Sequence, residues 1–538
     1  MPLTALDLAA SRVDPLDPVF EPMLRDLQAN ILRAHGRLFS HYLLLKLDPA
    51  KIAIAKRWMA GFAAQITSAL QLEQGRQAYK TTGADGGAVF TLSISASGYR
   101  ALGFADAQFP QEKETAANSI VKDSAAFAGG AKRSAAKLGD GDPAKDWEAA
   151  FRGDIDVLIL VADDSSKKAA LLAERVGREA MAFGRVVLNQ KGHVLRRRGD
   201  CSEAAKTGAP ELGAAEVATP ALGTIEHFGY ADGISQPLFF KDDIEGQGAR
   251  QHWSDEEPLN LVLVADPHGR DFNSFGSFLV FRKLEQNVRG FLAAEEALAP
   301  GIRDRDGIEN PSIPGAMMVG RFRNGNPTVT SGGFTGQVVR ASQLTNDFDY
   351  GDDPPPDPSS VPAYSARCPF FAHTRITNPR ADIKVVPPAF THSVRLTRRA
   401  VPYQDVSRFG PGKEDLVTPT QAELDTHRPE TGVGLVFMSY QAHIGKQFEF
   451  IQNNWVNHGH IAGRNIGQDG VVGQASPTPS GLPFKPAAPD LIPRKLPQQW
   501  GVAVDPAGPE ISFGGFVKAL GGEYFFTPSI SFLELLNS

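Results

Sequence analysis

The stretch EHFGYADGISQP, residues 226 to 237, contains an aspartate, Asp232, in a turn-like sequence with a glycine on each side. Most Asp-Gly pairs simply form turns or helix caps. Here the neighbours Phe228, Tyr230 and Ile234 are aromatic or apolar and would keep water scarce. A carboxylate in such surroundings stays ionised only when a cation lies beside it, and proteins build general acids and bases in this way. Spacing alone favours the turn, so the surroundings are what make Asp232 a candidate for proton transfer.

A second candidate is His373, which follows two phenylalanines in RCPFFAHTRITNPR. A lone histidine beside apolar residues is more often a hydrogen-bonded core residue than a ligand. One neutral imidazole in an apolar wall is also what an axial ligand of haem iron requires. Cys368, five residues earlier, could supply a thiolate ligand, although an inert buried cysteine is the commoner case.

The stretch RLTRRAVPY places Arg395, Arg398 and Arg399 in a strand-like segment. Side chains alternate between the two faces of a strand, so Arg398 and Arg399 point in opposite directions and one of them points inward. The structural interpretation is an edge strand protected by charge. The functional interpretation is a fixed cation beside a carboxylate in a pocket.

His458 and His460 form an H-x-H pair in NHGHIAGRN, which could ligate a metal ion from a strand. No third ligand accompanies them in a recognised spacing, so the signal for a non-haem metal site is weak. The glycine-rich stretch GGAKRSAAKLGDG lacks the G-K-[ST] ending of a phosphate-binding loop, and there is no G-x-S-x-G elbow. Nucleotide binding and serine-hydrolase chemistry are therefore not indicated.

These candidates lie in a chain of 538 residues with a formal net charge of -6, which argues against nucleic acid as a partner. The two cysteines, Cys201 and Cys368, cannot form a disulfide framework and fit a reducing compartment. The first twenty residues do not resemble a signal peptide, and no uncharged apolar run is long enough to span a membrane. We therefore expect a cytoplasmic protein without a membrane partner, and leave its oligomeric state open, a homo-oligomer included.

The elements that must position the candidate residues follow an order that occurs twice. In the first half, HYLLLKLD, AVFTLSIS, DVLILVADD and GRVVLNQKG have the character of strands, with helices predicted after the first and third. This order is that of a ferredoxin-like sheet with helices on one face. A helix is also predicted over PMLRDLQANILRAHG, residues 22 to 36, from its apolar spacing.

The second half repeats the pattern in GSFLVFRKL, HSVRLTRRAVPY and GVGLVFMSY, with a helix predicted over KQFEFIQNNWVN. The predicted fold is therefore α+β, with two ferredoxin-like domains of antiparallel sheet and packed helices. We place the domains at residues 1–240, which contribute the Asp232 loop, and 241–538. Long proline-rich loops at 349 to 362 and 473 to 497 could wall a pocket.

Taken together, several stretches resemble the dye-decolourising peroxidase family of haem enzymes, of the longer-chain bacterial and fungal kind. GYADG matches the G-x-x-D-G motif of that family, and further blocks match in the expected order: DLQANILRAHGR, SISASGYRALGF, FGSFLVFRKLEQNV, CPFFAHTRITNPR, RRAVPY, QFEFIQNNWVN and GGEYFFTPSISFL. The resemblance extends from about residue 25 to 535. It implies a pair of ferredoxin-like domains, with haem b (iron protoporphyrin IX) bound in the C-terminal half.

The resemblance also implies roles for individual residues. His373 matches the proximal ligand of the haem iron, and Asp232 matches the distal acid. Arg398 matches the distal arginine, with Arg399 as the alternative if the register is shifted by one. Ala400 is a departure, because some relatives carry Asn or Ser there, where it could bond the peroxide.

Three further residues are assigned to the cofactor by resemblance. Glu449 in QFEFIQ is the candidate carboxylate that accepts the proton of the proximal imidazole. Arg321 in VGRFRNGNP is expected to pair with a haem propionate, which suits a guanidinium group. Phe278, in the FGSFLVFRKLEQNV block, is also placed at the cofactor.

The implied function is a haem peroxidase that reduces hydrogen peroxide and oxidises small organic donors such as dyes and phenolic compounds through a ferryl intermediate. Asp232 would act as base and then acid, so we expect an acidic pH optimum, and Arg398 would keep it ionised and stabilise charge on the departing oxygen. The alternative is a haem-handling protein with only weak peroxidase activity. Bulky dyes would need a surface relay, for which Trp253, Trp455 and Tyr403 are candidates, although core packing is the simpler explanation for each.

Overall fold

The structure is a computed structural model of the chain. It describes residues 8–9, 11–113, 126–197, 224–304, 307–329, 346–350, 367–380, 388–461, 464–474, 494–502, 504–505 and 507–537. Cys201 and most of the two long proline-rich loops therefore lie outside the described residues.

Four strands of the N-terminal half form an antiparallel sheet with the order of a ferredoxin-like unit. They are β1 (Phe39–Leu47), β2 (Val89–Ser95), β3 (Val157–Asp163) and β4 (Gly184–His193). In space their order is β2-β3-β1-β4. Every residue of β2 and β3 is buried, which explains the apolar run VLILVA of β3, whereas β2 alternates apolar residues with Thr and Ser. The predicted unit is confirmed.

Shorter strands connect the two halves: β5 (Leu195–Arg196), β6 (Thr224–Ile225) and β7 (Val264–Ala265). The C-terminal half then supplies β8 (Phe275–Gln286), β9 (Thr397–Arg398), β10 (Val401–Gln404), β11 (Val433–Gln441), β12 (His460–Ile461), β13 (Arg464–Asn465) and β14 (Val517–Thr527). Its main strands follow the order β10-β11-β8-β14, which is the ferredoxin-like order again. The repeat predicted from the sequence is therefore present.

The two halves share one continuous sheet. Strand β14 pairs with β8 along its length and with β2 at its end, where Phe525 lies opposite Ser95. The two outer strands also approach each other, because a Cβ atom on Gly192 of β4 would lie 3.1 Å from Val401 Cγ1 of β10. The sheet thus curls into a barrel whose apolar core draws on both halves. A domain boundary at residue 240 stays a prediction.

Helices cover this sheet and connect its strands. Regular helices occupy Glu21–Asp26, Ile52–Phe62, Ala69–Thr82, Ala96–Ala101, Gly130–Leu138, Ala149–Arg152, Ser166–Ala180, Lys241–Gly246, Val288–Leu298, Ser312–Val319, His373–Thr377, Pro388–Ser393, Gln421–Thr426 and Ile530–Leu535. The predicted helix over KQFEFIQNNWVN is also present, but its turns over Gly445–Glu449 and Ile451–Asn457 are π-helical. In the described part of the chain, no helix is long and apolar enough to cross a membrane.

The prediction of one helix over residues 22 to 36 is wrong. The helix ends at Asp26, and the buried residues after it form an irregular segment. The Gln28 side-chain amide donates to the carbonyls of Leu92 and Pro528, and Asn30 has a left-handed φ of 71°. Tertiary hydrogen bonds from a polar side chain therefore override the helical spacing of Leu27, Ile31 and Leu32.

Candidate active site

Asp232 lies at the end of a tight loop that closes on itself. Strand β6 leads into the loop, and the Asp232 N–H donates back to the Thr224 carbonyl at 3.1 Å. Gly229 and Gly233 have φ values of 90° and 79°, in the left-handed region that favours glycine. The two glycines of the G-x-x-D-G motif are therefore required by the path of the backbone. Asp232, directly before the second glycine, is the titratable residue of this turn that faces Arg398.

The Asp232 carboxylate faces Arg398. Its Oδ1 atom accepts a hydrogen bond from the Gly233 N–H at 2.7 Å and lies 3.6 Å from Arg398 Nη1. No described residue donates a hydrogen bond to its Oδ2 atom. Arg398 is itself tied to the loop, because Nη2 donates to the Ile234 carbonyl at 3.0 Å. The aspartate and the arginine predicted from the sequence are therefore a fixed pair with one free carboxylate oxygen.

Strand alternation decides between Arg398 and Arg399. Leu396, Arg398 and Ala400 line the pocket described below, whereas Arg399 points to the other face. The Arg399 guanidinium is buried and donates to the carbonyls of Asn30 and Ile31. Burial lowers the pKa of Arg399 to about 10. Arg399 therefore anchors the N-terminal segment and does not face Asp232.

His373 lies at the beginning of a short helix and pairs with a carboxylate that the sequence analysis did not select. Its Nδ1 atom is 2.9 Å from Oδ2 of Asp469, which is fully buried. Burial opposes ionisation of Asp469, but the imidazole and the N–H groups of Val471 and Val472 outweigh it, so the pKa of Asp469 lies below its ordinary value. With Nδ1 engaged, Nε2 is the nitrogen of His373 left for a ligand.

The assignment of Glu449 as the proximal carboxylate is wrong. The Glu449 carboxylate accepts a hydrogen bond from the Tyr524 hydroxyl at 2.9 Å and pairs with Lys137 at 3.2 Å. Its N–H donates to the carbonyl of Ile444, five residues earlier, which is the π-helical pattern. The side chain is thereby directed towards β14 and the helix Gly130–Leu138. The carboxylate beside His373 belongs instead to Asp469, in a turn that follows the π-helical segment ending at Asn457.

One pocket contains Asp232, Arg398, His373 and Arg321 together. Its apolar walls come from the sheet, from the loop and from the helices that face the sheet: Phe228, Leu284, Phe291, Leu396, Leu435, Phe437, Phe448, Ile451, Val456, Val471, Val472 and Val517. All of its lining residues lie between positions 226 and 517. The C-terminal half and the loop that precedes it therefore build the site.

The placement of Phe278 at the cofactor is wrong as well. Phe278 is fully buried and packs against Phe127 and Phe526, with ring centroids 5.2 Å apart in each case. The residues of β8 that line the pocket are Arg282, Leu284 and Gln286. Phe278 shares their face of the strand but lies four positions before Arg282, a distance of roughly 13 Å along a strand. It belongs to the barrel core.

Four buried arginines line the pocket in addition to Arg398, and one of them, Arg282, pairs with Asp140. Arg395 is compensated by Asp255 and Glu257, each at 2.7 Å. Arg321 and Arg380 have no ion-pair partner among the described residues and donate only to neutral oxygens. Burial lowers the pKa of Arg380 to about 10 and also lowers the pKa of Arg321. The pocket therefore carries uncompensated positive charge.

These residues fit a haem group. The His373 side chain bonds to Asp469 through Nδ1, which leaves Nε2 available, and among the described residues the buried Nε atom of Arg380 has no hydrogen-bond partner. Apolar side chains such as Phe437 and Leu284 suit a flat macrocycle, and the charge of Arg321 and Arg380 suits its two carboxylates. The donor set of one imidazole with a buried carboxylate behind it is that of a haem ligand.

The alternative ligands receive no support from the geometry. The His458 Nδ1 atom lies 2.6 Å from the Asn453 carbonyl, and the side chain of His460 is outside the described residues. Within the described residues, no group of three or more His, Cys, Asp or Glu could hold a metal ion. Cys368 is buried and does not line the pocket.

The three candidates for a surface relay are all buried. Trp253 stacks on His392, with ring centroids 4.3 Å apart, and Trp455 packs among Phe390 and Phe450. Tyr403 is fully buried, with Lys283 above its ring. Core packing, the simpler explanation, is what the structure shows for each.

Two site residues were missed, and each had a local signal. Asp469 lies in GRNIGQDG and is followed by a glycine, the same Asp-Gly pattern that marks Asp232. Arg380 ends the block AHTRITNPR that contains His373, and it has a left-handed φ of 54°. Neither signal says which residues will face each other, because 96 positions separate His373 from Asp469.

Comparison with known proteins agrees with this geometry. A sequence model of the DyP dimeric alpha+beta barrel domain matches residues 26–194. The multifunctional dye peroxidase DyP2 of Amycolatopsis sp. is 32% identical over 532 residues, which cover 96% of both chains. The dye-decolorizing peroxidase of Exidia glandulosa is 33% identical over 57% of this chain and 55% of its own.

Solved structures give the same result over the whole chain. The crystal structure of the DyP-type peroxidase of Anabaena sp. superposes with a TM-score of 0.78 at 31% identity and covers 99% of this chain and 100% of its own. The structure of DyP2 from Amycolatopsis sp. gives a TM-score of 0.76 at 30% identity, over 98% and 99% of the two chains.

Proposed function

Because this chain belongs to the dye-decolourising peroxidase family, a family of haem peroxidases, we propose that it binds haem b through His373 and reduces hydrogen peroxide with Asp232 and Arg398. The observation that carries this proposal is the shared pocket. It combines the Asp232–Arg398 pair with the imidazole of His373, which is backed by a carboxylate. Asp232, Arg398 and His373 come from separate elements of the fold.

His373 would hold the iron through Nε2, while Asp469 accepts the proton on Nδ1 and orients the ring. The propionates would meet Arg321 and Arg380, whose charge has no other partner among the described residues. When bound, the haem would supply the iron at which peroxide is reduced and would hold the resulting oxidising equivalents until electrons from the organic donor restore it. The protein contributes binding, orientation and proton transfer.

Asp232 would move the proton. Peroxide must lose a proton from one oxygen and gain one on the oxygen that leaves as water, and a single carboxylate can do both. The free Oδ2 atom of Asp232 is available for this, since Oδ1 is held by the Gly233 N–H. Arg398, with Nη1 3.6 Å from Oδ1, keeps the carboxylate in place and stabilises negative charge on the departing oxygen.

The organic donors would be dyes and phenolic compounds, the class suggested by the names of the relatives. A haem-handling protein remains the alternative. The Asp232–Arg398 pair favours the enzyme, because a carrier has no need of a proton donor and acceptor in its pocket.

The test is stopped-flow spectroscopy of the haem-loaded wild type, Asp232→Asn and Asp271→Asn with one equivalent of hydrogen peroxide. Asp271 is a matched control, because its carboxylate also accepts a backbone N–H in a turn but does not line the pocket. We expect Asp232→Asn to keep the wild-type Soret band and to react about 10²- to 10⁴-fold more slowly, the usual contribution of a general acid–base group.

Asp271→Asn should react like the wild type. A wild type that binds haem but does not respond to peroxide would support the haem-handling alternative. Equal rates for the wild type and Asp232→Asn would return Asp232 to the role of a turn residue.

A further inference from the structure

An ion pair outside the pocket, with a buried carboxylate and a partly buried guanidinium, holds the backbone of the Asp232 loop. Glu295, on the helix Val288–Leu298, pairs with the guanidinium of Arg323. Neither residue lines the pocket, and Glu295 is 5% exposed. The pair carries no net charge. It reaches the Asp232 loop through direct contacts with the residues that precede Asp232.

The contacts of the pair reach Phe228, Tyr230 and Ala231. Arg323 Nη1 donates to the Phe228 carbonyl at 2.6 Å, and the Arg323 carbonyl accepts from the Ala231 N–H at 3.0 Å. The Tyr230 hydroxyl donates to Glu295 Oε1 at 2.5 Å, and the guanidinium lies 4.7 Å from the centre of the Tyr230 ring. Three of the four residues immediately before Asp232 are thus held by the pair.

Two glycines leave room for this arrangement. A Cβ atom on Gly229 would lie 2.8 Å from Arg323 Nη1, and one on Gly315 would collide with the Glu295 carboxylate and the Tyr230 hydroxyl. The first glycine of the G-x-x-D-G motif therefore serves both the left-handed backbone and the close approach of Arg323. The glycines at 229 and 315, the Arg323–Glu295 pair and the loop that carries Asp232 are therefore in direct contact with one another.

We propose that the Arg323–Glu295 pair is a positioning element for Asp232, which sets the rate of the reaction with peroxide by holding residues 228–231 against the pocket. This proposal rests on the proposed function of Asp232. A displacement of about 1 Å caused by a substitution outside the reacting centre can cost roughly 10²-fold in rate. Loss of the pair would therefore slow proton transfer without removing any group that touches peroxide.

The test is a double-mutant cycle in the haem-loaded protein, with Arg323→Ala, Asp232→Asn and the double variant. The bimolecular rate constant for hydrogen peroxide is measured for each. We expect Arg323→Ala to lower it about 10- to 100-fold in the wild-type background and by less than about 2-fold in the Asp232→Asn background. An equal loss in both backgrounds would mean that Arg323 does not act through Asp232, and would overturn the proposal.

Hydrogen–deuterium exchange of the peptide covering residues 224–237 gives a second readout that does not depend on activity. Exchange should accelerate in Arg323→Ala and stay at the wild-type rate in Arg152→Ala. Arg152 is the matched control, because it also donates to backbone carbonyls, those of Trp147 and Lys145, but lies outside the pocket lining. Unchanged exchange in Arg323→Ala would overturn the proposal even if the wild type did not react with peroxide.

Glu295→Gln covers the case in which Arg323→Ala does not fold. It keeps the shape of the side chain and the acceptor for Tyr230, but removes the charge that orients Arg323. We expect a smaller loss of the peroxide rate, with the same dependence on Asp232 and with unchanged haem binding. A wild-type rate in Glu295→Gln together with a wild-type exchange profile would contradict the proposal.

Discussion

The N-terminal and C-terminal halves share a strand order but not a function. Both follow the same ferredoxin-like path, yet all residues of the pocket lie at or beyond position 226. In the N-terminal half the helix Ser166–Ala180 lies directly on the sheet and buries Ala169, Ala173 and Val176. In the C-terminal half, side chains of β8 and β11 face the pocket instead.

The difference lies in the connections between strands. From β1 to β2 the chain spans residues 48–88, whereas the equivalent connection from β8 to β9 spans 287–396 and carries Arg321, His373 and Arg380. The connection from β11 to β14, residues 442–516, carries Asp469. When long loops build the site on one copy of a repeated fold, the other copy contributes mainly to the stability of the protein. The comparison predicts that substitutions in the two halves have separable effects.

The largest effect is expected for His373→Ala, which removes the only imidazole among the described residues that line the pocket. Haem ligation should change or fail, and the peroxide reaction should be lost, as seen in the Soret spectrum and in stopped-flow traces. His392→Ala is the matched control, because His392 also pairs with a buried carboxylate, Glu257 at 2.7 Å, but does not line the pocket. A wild-type spectrum for His373→Ala would exclude it as the ligand.

The next effect distinguishes two buried carboxylates of the C-terminal half. Asp469→Asn should lower haem affinity or activity about 10- to 100-fold, since residues that orient a metal ligand usually contribute this much. Glu449→Gln should leave the spectrum of the bound haem unchanged, because Glu449 contacts Tyr524 and Lys137. The absorption bands of the ferric haem protein, recorded for Asp469→Asn and Glu449→Gln, measure both effects. The reverse result would restore Glu449 as the partner of His373.

In the N-terminal half we expect a loss of stability without a change at the site. Leu44→Ala on β1 removes a fully buried side chain and should lower the free energy of unfolding by about 2 to 5 kcal/mol. Urea denaturation measures this, while the Soret band and the peroxide rate stay at wild-type values. Leu16→Ala, at a leucine that is 90% exposed, is the control. A changed Soret band in Leu44→Ala would show that the halves are not separable.

The smallest effect concerns the ion pair that joins the halves, Asp140 with Arg282 of the pocket wall. Burial raises the pKa of Asp140 to about 6, although Arg282 opposes this. The folded state then keeps a proton that the unfolded state has lost, so the free energy of unfolding falls as pH rises from about 4 to about 6, by at most about 3 kcal/mol.

Asp140→Asn should remove that part of the pH dependence, measured by urea denaturation at pH 4.5 and pH 7. Asp142→Asn is the control, since Asp142 is exposed and hydrogen bonds from Ala144 and Lys145 lower its pKa. Parallel pH profiles for the wild type and Asp140→Asn would show that Asp140 ionises normally.

The local sequence pattern was sufficient to predict most of the scaffold and part of the site. The apolar run of β3 and the alternating pattern of β2 both favour strands, and the order of strands and helices predicts the ferredoxin-like unit. Asp232, Arg398 and His373 were identified because each lies in a short motif whose residues are adjacent in sequence. The helix predicted over residues 22 to 36 failed because a side chain, Gln28, forms its hydrogen bonds with strand and loop carbonyls far along the chain.

The sequence by itself therefore determined the strand order, the repeat, the family resemblance and the motif residues, since all of these depend on neighbouring positions. Only the tertiary structure decided that Asp469 and not Glu449 faces His373, that Arg398 and not Arg399 faces Asp232, and that Phe278 belongs to the core. The physical reason is the same in each case. Which face of a helix or strand meets the pocket depends on how that element packs against residues distant in the sequence.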